Sequence, residues 1–209
     1  MKVNVARART EANIKKLDAQ EKEAIKYCEA IACLVLRDEM GWNKSGWDAA
    51  RMKWFVRGAY KWLAETFEQY RAAGDEKFSA ETVPTVYVGL RNQVKALDAD
   101  VGRIEDEYAF AEFFAGWRPE RMVTRRAFRY QHLKDREQTF RAFWYTMMLY
   151  LHEKYGFGKT RLERFYALCR ARYKADYDFY LICTAEGDTA IQKRTRAVIK
   201  EATDLGIEL

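Results

Sequence analysis

The residues of this 209-residue chain that most invite a chemical reading are Gly156-Phe-Gly-Lys-Thr160. A lysine and a hydroxyl after glycine are what a P-loop uses to hold nucleotide phosphates and magnesium. Here the pattern fails. Glu153 stands where the first P-loop glycine belongs, and the residues before the turn have helical spacing instead of a strand's. Asp98-Ala-Asp100-Val-Gly102 starts like a calcium loop, but its glycine falls at the fifth place and no glutamate stands at the twelfth. Glu23, Glu29, Glu65 and Glu153 lie on helical stretches where carboxylates could gather around metal ions, yet no Glu-x-x-His accompanies them. His132 and His152 are the only histidines, which leaves little for a histidine base, and a zinc site would have to join them to distant cysteines. Cys28, Cys33, Cys169 and Cys183 have no CxxC spacing and read as small buried apolar residues. The chain is therefore expected to be a binding protein without metal or cofactor, not an enzyme.

Binding is where the charge points. The net charge is +6 with a pI of about 9.0. From Arg118 to Lys174 there are fifteen Lys/Arg against five Asp/Glu. Arg118, Arg121, Arg125, Arg129 and Arg136 recur at helical steps, Arg126 joins them as a candidate contact, and Lys159, Arg161, Arg164, Arg170 and Arg172 continue the excess. Such a stripe can track phosphates, or it can pair with the acidic Asp98–Glu112 segment and remain a solvated face. Trp42, Phe157 and Tyr173 are the candidate aromatics for contact with a partner, with Tyr130 a further ring available for base stacking.

These residues need helices to position them. Phe140, Phe143, Trp144, Met147, Met148, Leu151 and Tyr155 advance by three- and four-residue steps on one broad apolar face. Gly156 ends that helix, Thr160 offers a cap, and Leu162, Phe165, Tyr166 and Tyr173 resume the pattern. Upstream, residues 9–40 predict one or two helices with Ile14, Leu17, Ile25, Cys28, Ile31, Ala32 and Val35 inward. After Gly41, the stripe Trp47, Met52, Trp54, Phe55, Trp62, Leu63, Phe67 and Tyr70 predicts a long helix ending near Ala73, with its aromatics in the core. Pro84 fits the first turn of a helix whose seam runs from Tyr87 through Leu90, Val94, Leu97, Val101 and Ile104 to Tyr108. That seam fits packing inside the monomer, with a homodimer as the alternative. Gly116 to Pro119 predicts a break, and Ile191, Val198, Ala202 and Leu205 form the inner face of a last helix.

Sliding the chain by about 115 residues lays Cys33–Trp47 over Met148–Leu162 without a gap. Leu34, Leu36, Gly41 and Lys44 then match Leu149, Leu151, Gly156 and Lys159. The fold class read from this is all-α: a helical bundle with an internally duplicated helix-turn-helix hairpin. Its segments are an N-terminal hairpin over 1–80, a connecting long helix over 81–117 and a basic C-terminal hairpin over 118–209. Two prolines in the whole chain agree with it. No run of about 18 apolar residues and no signal-peptide core occur, so a cytoplasmic location is expected.

The stretch from Leu149 to Phe165, LYLHEKYGFGKTRLERF, resembles small helical proteins encoded by bacteriophages and mobile elements of Gram-positive bacteria. The resemblance implies a phage context inside a bacterial host, where such proteins regulate genes, handle nucleic acid or inhibit defence nucleases. It carries no residue roles. The leading expectation is thus contact between a basic helical surface and nucleic acid or a nucleoprotein complex. The alternatives are an anti-CRISPR-like inhibitor docking on a protein, and a helical structural or oligomerisation protein.

Overall fold

A computed structural model of the chain describes residues 22–42, 46–72, 83–99, 126–182 and 188–209, and all six helices in them agree with the all-α reading; among the described residues there is no strand. The helices are α1 (22–38), α2 (Gly46–Ala72), α3 (Val83–Ala96), α4 (Arg126–Tyr155), α5 (Lys159–Ile182) and α6 (Asp188–Asp204). Among the described residues, no helix is long and apolar enough to cross a membrane.

Two of these helices form the centre. In α1 every residue from Tyr27 to Leu36 is buried, and in α4 every residue from Phe143 to Leu151 is buried. A helix apolar on all sides has to be surrounded, and the others do this. Helices α2, α3 and α5 pack on α4, and α6 packs on α5. The Tyr27 and Tyr173 rings bring α1 to α5. Phe55, Phe165, Ile31, Leu34, Leu36, Met147 and Met148 are wholly inside. Burying each aliphatic or phenyl side chain is worth about 1.5–3 kcal/mol. Cys28, Cys33 and Cys169 are buried and unbridged, and burial pushes their thiols far above the ordinary range. They are packing residues, as their spacing suggests; Cys183 lies outside the described residues.

The central helices end alike. Gly41 and Gly156 adopt φ of 81° and 66°, a left-handed conformation that glycine reaches without a Cβ penalty. The N–H of Trp42 then donates to the Leu36 carbonyl at 3.1 Å, and that of Phe157 to the Leu151 carbonyl at 3.2 Å. These pairs coincide under the 115-residue shift, and so do the buried runs Cys28–Leu36 and Phe143–Leu151. The correspondence is one of turn geometry and burial.

Several expectations change. Helix α3 begins with Pro84 in its first turn, but it stops at Ala96 instead of continuing to Tyr108. The N–H groups of Leu97 and Asp98 fold back to the Val94 and Lys95 carbonyls, and Asp98 takes φ of 55°, which aspartate tolerates better than most residues. Of the seam residues with described side chains, Leu90 and Val94 are buried and Leu97 is partly buried against the core, and α3 packs on α4 inside the monomer. At the C-terminus Val198 and Ala202 are buried, whereas Leu205 is exposed. Gly206, with φ of 78°, turns the chain so that Ile207 enters the core in its place and its N–H reaches the Ala202 carbonyl. The stretches 1–21 and 73–82 and the break at Gly116–Pro119 lie outside the described residues.

Candidate nucleic-acid interface

The corner between α4 and α5 positions the best-defined cations. The Gly156 N–H donates to the His152 carbonyl at 3.0 Å, and the His152 imidazole is bonded to the Phe157 carbonyl at 2.8 Å through Nδ1. A carbonyl only accepts, so Nδ1 carries the proton in this hydrogen bond and the His152 ring braces the turn. Helix α5 then starts on Gly158, whose carbonyl accepts from the Arg161 and Leu162 N–H groups at 3.0 and 3.1 Å. Gly158 is therefore the residue at the helix start, and Thr160, expected as the cap, lies inside the first turn. This phase sends Leu162 and Phe165 into the core and leaves Lys159, Arg161 and Arg164 exposed.

The predicted cations on described helices do not form one patch. Arg118, Arg121 and Arg125 lie outside the described residues; Arg126 and Arg129 open α4, where the backbone alone is described. The 30 residues of α4 at 1.5 Å each put about 45 Å between that end and the corner. Lys159 Nζ lies 2.6 Å from Asp98 Oδ2, so the pairing of basic and acidic segments that the sequence allowed does occur here. Lys159 holds the Asp98 carboxyl below its ordinary range. Arg172 is also engaged, at 3.4 Å from Asp38 and 3.3 Å from Glu201, tying α5 to α1 and α6. Arg161 lies over the Phe157 ring at 5.7 Å, and Arg164 has no ion-pair partner among the described residues. Arg170 is exposed and has interactions of its own.

The predicted contact aromatics are core residues. Trp42 and Phe157 are buried, and Tyr173 is partly buried against the core. The residue after a left-handed glycine turn commonly packs back on its own helix, and both rings do so.

The aromatic assigned to the core, Trp54, is instead 42% exposed. Lys53 Nζ and Arg57 Cζ lie over its ring at 4.7 and 5.3 Å. Between Ala50 and Ala64, α2 carries Arg51, Lys53, Arg57 and Lys61 and no carboxylate. The indole had read as part of the Met52, Phe55, Trp62 stripe, but Met52, Phe55, Val56, Ala59 and Trp62 complete the inner face without it. The missed signal was this run of cations without an acid. Arg51 lies over the Tyr155 ring at 5.6 Å, so this stretch of α2 starts beside the α4–α5 corner.

The carboxylates do not assemble a metal site. Glu29 accepts from the Tyr60 hydroxyl at 2.5 Å, Glu153 from Trp62 Nε1 at 2.7 Å and Glu23 from Arg196 Nε at 3.0 Å, while Glu65 lies 3.6 Å from Lys61. Among the described residues, no three His, Cys, Asp or Glu side chains gather as metal ligands. Burial raises the Glu29 carboxyl above its ordinary range, against the opposing pull of the Tyr60 hydroxyl and Lys26. Burial and the Glu29 charge in turn raise the Tyr60 phenol. No family model matches the chain, and comparison with the curated proteins and with the solved structures finds no match.

Proposed function

We propose that the protein binds nucleic acid, alone or within a nucleoprotein complex, through two separate basic helix starts, the first turn of α4 and the α4–α5 corner that opens α5. The observation that carries the reading is the composition of two helix starts. The first turns of α4 and α5 hold Arg126, Arg129, Lys159 and Arg161 and no acidic residue. A helix N-terminus already carries about half a positive charge, so cations there work against stability and acids would favour it. At the start of α5 the cations are exposed, Lys159 beside its Asp98 partner and Arg161 over Phe157, and exposed cations set against the helix dipole suit contact with an external anion. Polyanionic phosphate backbones fit a chain with a net charge of +6. The phage context implied by the Leu149–Phe165 stretch agrees with this reading.

The test is binding of labelled DNA and RNA oligonucleotides by the protein and by a variant with Arg121, Arg125, Arg129, Arg161 and Arg164 changed to glutamine. The reading expects the variant to bind far more weakly and with a shallower dependence on salt. Equal affinity of the two proteins would remove the basic surface from the account.

A further inference from the structure

The sharpest unassigned surface feature is the exposed face of α2. We infer that Trp54, with Lys53, Arg57 and Lys61, is a stacking site for an unpaired base of single-stranded nucleic acid. This deepens the reading above and rests on it.

Three observations converge. First, of the four tryptophans whose burial is described, Trp42, Trp62 and Trp144 are buried and Trp54 is exposed, although this residue type has the most apolar surface to hide. Second, the cations around it are regularly placed. Lys53, Arg57 and Lys61 follow at four-residue steps, which sets them on one side of the helix about 6 Å apart along its axis. Their intramolecular engagements are weak: Lys53 lies 3.7 Å from Glu208 and Lys61 3.6 Å from Glu65, all with side chains about half exposed or more. Third, the stripe adjoins the α4–α5 corner through Arg51 over Tyr155, so a strand held at the corner can continue along α2.

An aromatic ring flanked by cations offers a strand both of its recognition modes, stacking for the base and charge for the phosphates. Stacking on an aromatic ring outweighs an exposed cation–π pair, so a base can displace Lys53 or Arg57 from the indole, and the released cation can then turn to a phosphate. An intact duplex keeps its bases stacked on one another, and this is why the proposal selects the single strand. An acidic protein surface would use the cations but does not present the regular succession of unstacked bases and phosphates that the ring and its flanking cations match.

The experiment measures affinity for a 15-nucleotide single strand, as DNA and as RNA, and for the matching DNA duplex. The proteins are wild type, Trp54→Ala, Trp54→Phe and the pair Lys53→Gln with Arg57→Gln. A thermal melt of each confirms that the exposed substitutions leave the fold intact. Trp54→Ala is expected to weaken the single strand about tenfold and to leave the duplex unchanged. Trp54→Phe, which keeps a ring, should restore most of the loss, and the Lys53/Arg57 variant should flatten the salt dependence. Single-strand affinity equal in wild type and Trp54→Ala would overturn this site while leaving the corner reading intact. Absence of any binding by wild type at low salt would overturn both. Trp54-dependent binding of polyglutamate in place of the oligonucleotides would overturn the proposal in favour of an acidic protein partner.

Discussion

The indole of Trp42 stands edge-on to the phenyl ring of Phe157, with centroids 6.3 Å apart and planes 88° apart. Each is the residue after the left-handed glycine that ends a central helix, so the two turns meet through their matching aromatics. Tyr155 and Phe55 complete the cluster at 4.8 and 5.7 Å from Trp42. Truncating a buried aromatic costs about 3–5 kcal/mol. Trp42→Ala and Phe157→Ala should each lower the free energy of unfolding in urea by an amount in that range, while the folded fraction of each binds oligonucleotides as wild type does. A specific loss of binding without loss of stability would return these rings to the interface.

The glycines of the α4–α5 corner should separate by backbone conformation alone. A Cβ at Gly156 or Gly158 meets nothing within 4 Å, but only Gly156 has positive φ. Gly156→Ala should destabilise by about 1–2 kcal/mol, the cost of a left-handed L-residue. Gly158→Ala, which meets no such backbone strain, should cost less, about the 0.5–1 kcal/mol by which glycine exceeds alanine at a helix N-cap. Equal effects in chemical denaturation would contradict the assignment of the turn.

Gly58 marks a close approach of α2 to α4. A Cβ there would sit 2.2 Å from the Tyr150 hydroxyl oxygen. Alanine in a helix interior normally gains about 0.5–1 kcal/mol over glycine. Here the clash should win, because Tyr150 is held by the rings of Phe55, Trp62 and Tyr155 and cannot swing away. Overpacking of this kind costs about 1–3 kcal/mol. Gly58→Ala should therefore destabilise, and Tyr150→Phe, which removes the offending atom, should recover part of the loss in a double-mutant cycle. Independent, additive effects would contradict this contact.

The buried Glu29 sets a pH dependence of known sign. Its carboxyl titrates near pH 4.3 in an unfolded chain, and burial raises it in the native state. Between those two values the folded protein holds a proton that the unfolded chain has lost. Stability from this group is complete below the unfolded value and falls as pH rises through the window. Glu29→Gln, neutral at every pH and still able to accept from the Tyr60 hydroxyl, should lose this fall. Melting temperatures followed upward from pH 4 should diverge in favour of the variant, and parallel curves would show that Glu29 is not the titrating group.

The helices and the glycine turns were legible because periodicity and φ preference are local properties. The apolar steps of Phe143 to Tyr155, the Gly156 turn and the start of α3 at Pro84 all needed nearby residues alone. What periodicity cannot give is which part of a wide apolar stripe a neighbouring helix covers. Trp54 belongs in sequence to a stripe expected in the core and Trp42 to the candidate contact aromatics; tertiary packing reverses both. The ten cations were visible as composition, but ion pairs such as Lys159 with Asp98, 61 positions apart, depend on the fold. In sequence Glu29 is only one of four candidate helical carboxylates, and its burial is not legible because nothing local shows that α1 is enclosed on all sides.

The account rests on nucleic-acid binding, and the most direct test is fluorescence anisotropy of a short labelled oligonucleotide titrated with the full chain at 50 and 200 mM salt. The account predicts saturable binding at the lower salt, weakened by orders of magnitude at the higher one. No binding at 50 mM, or an affinity unchanged between the two, would contradict it.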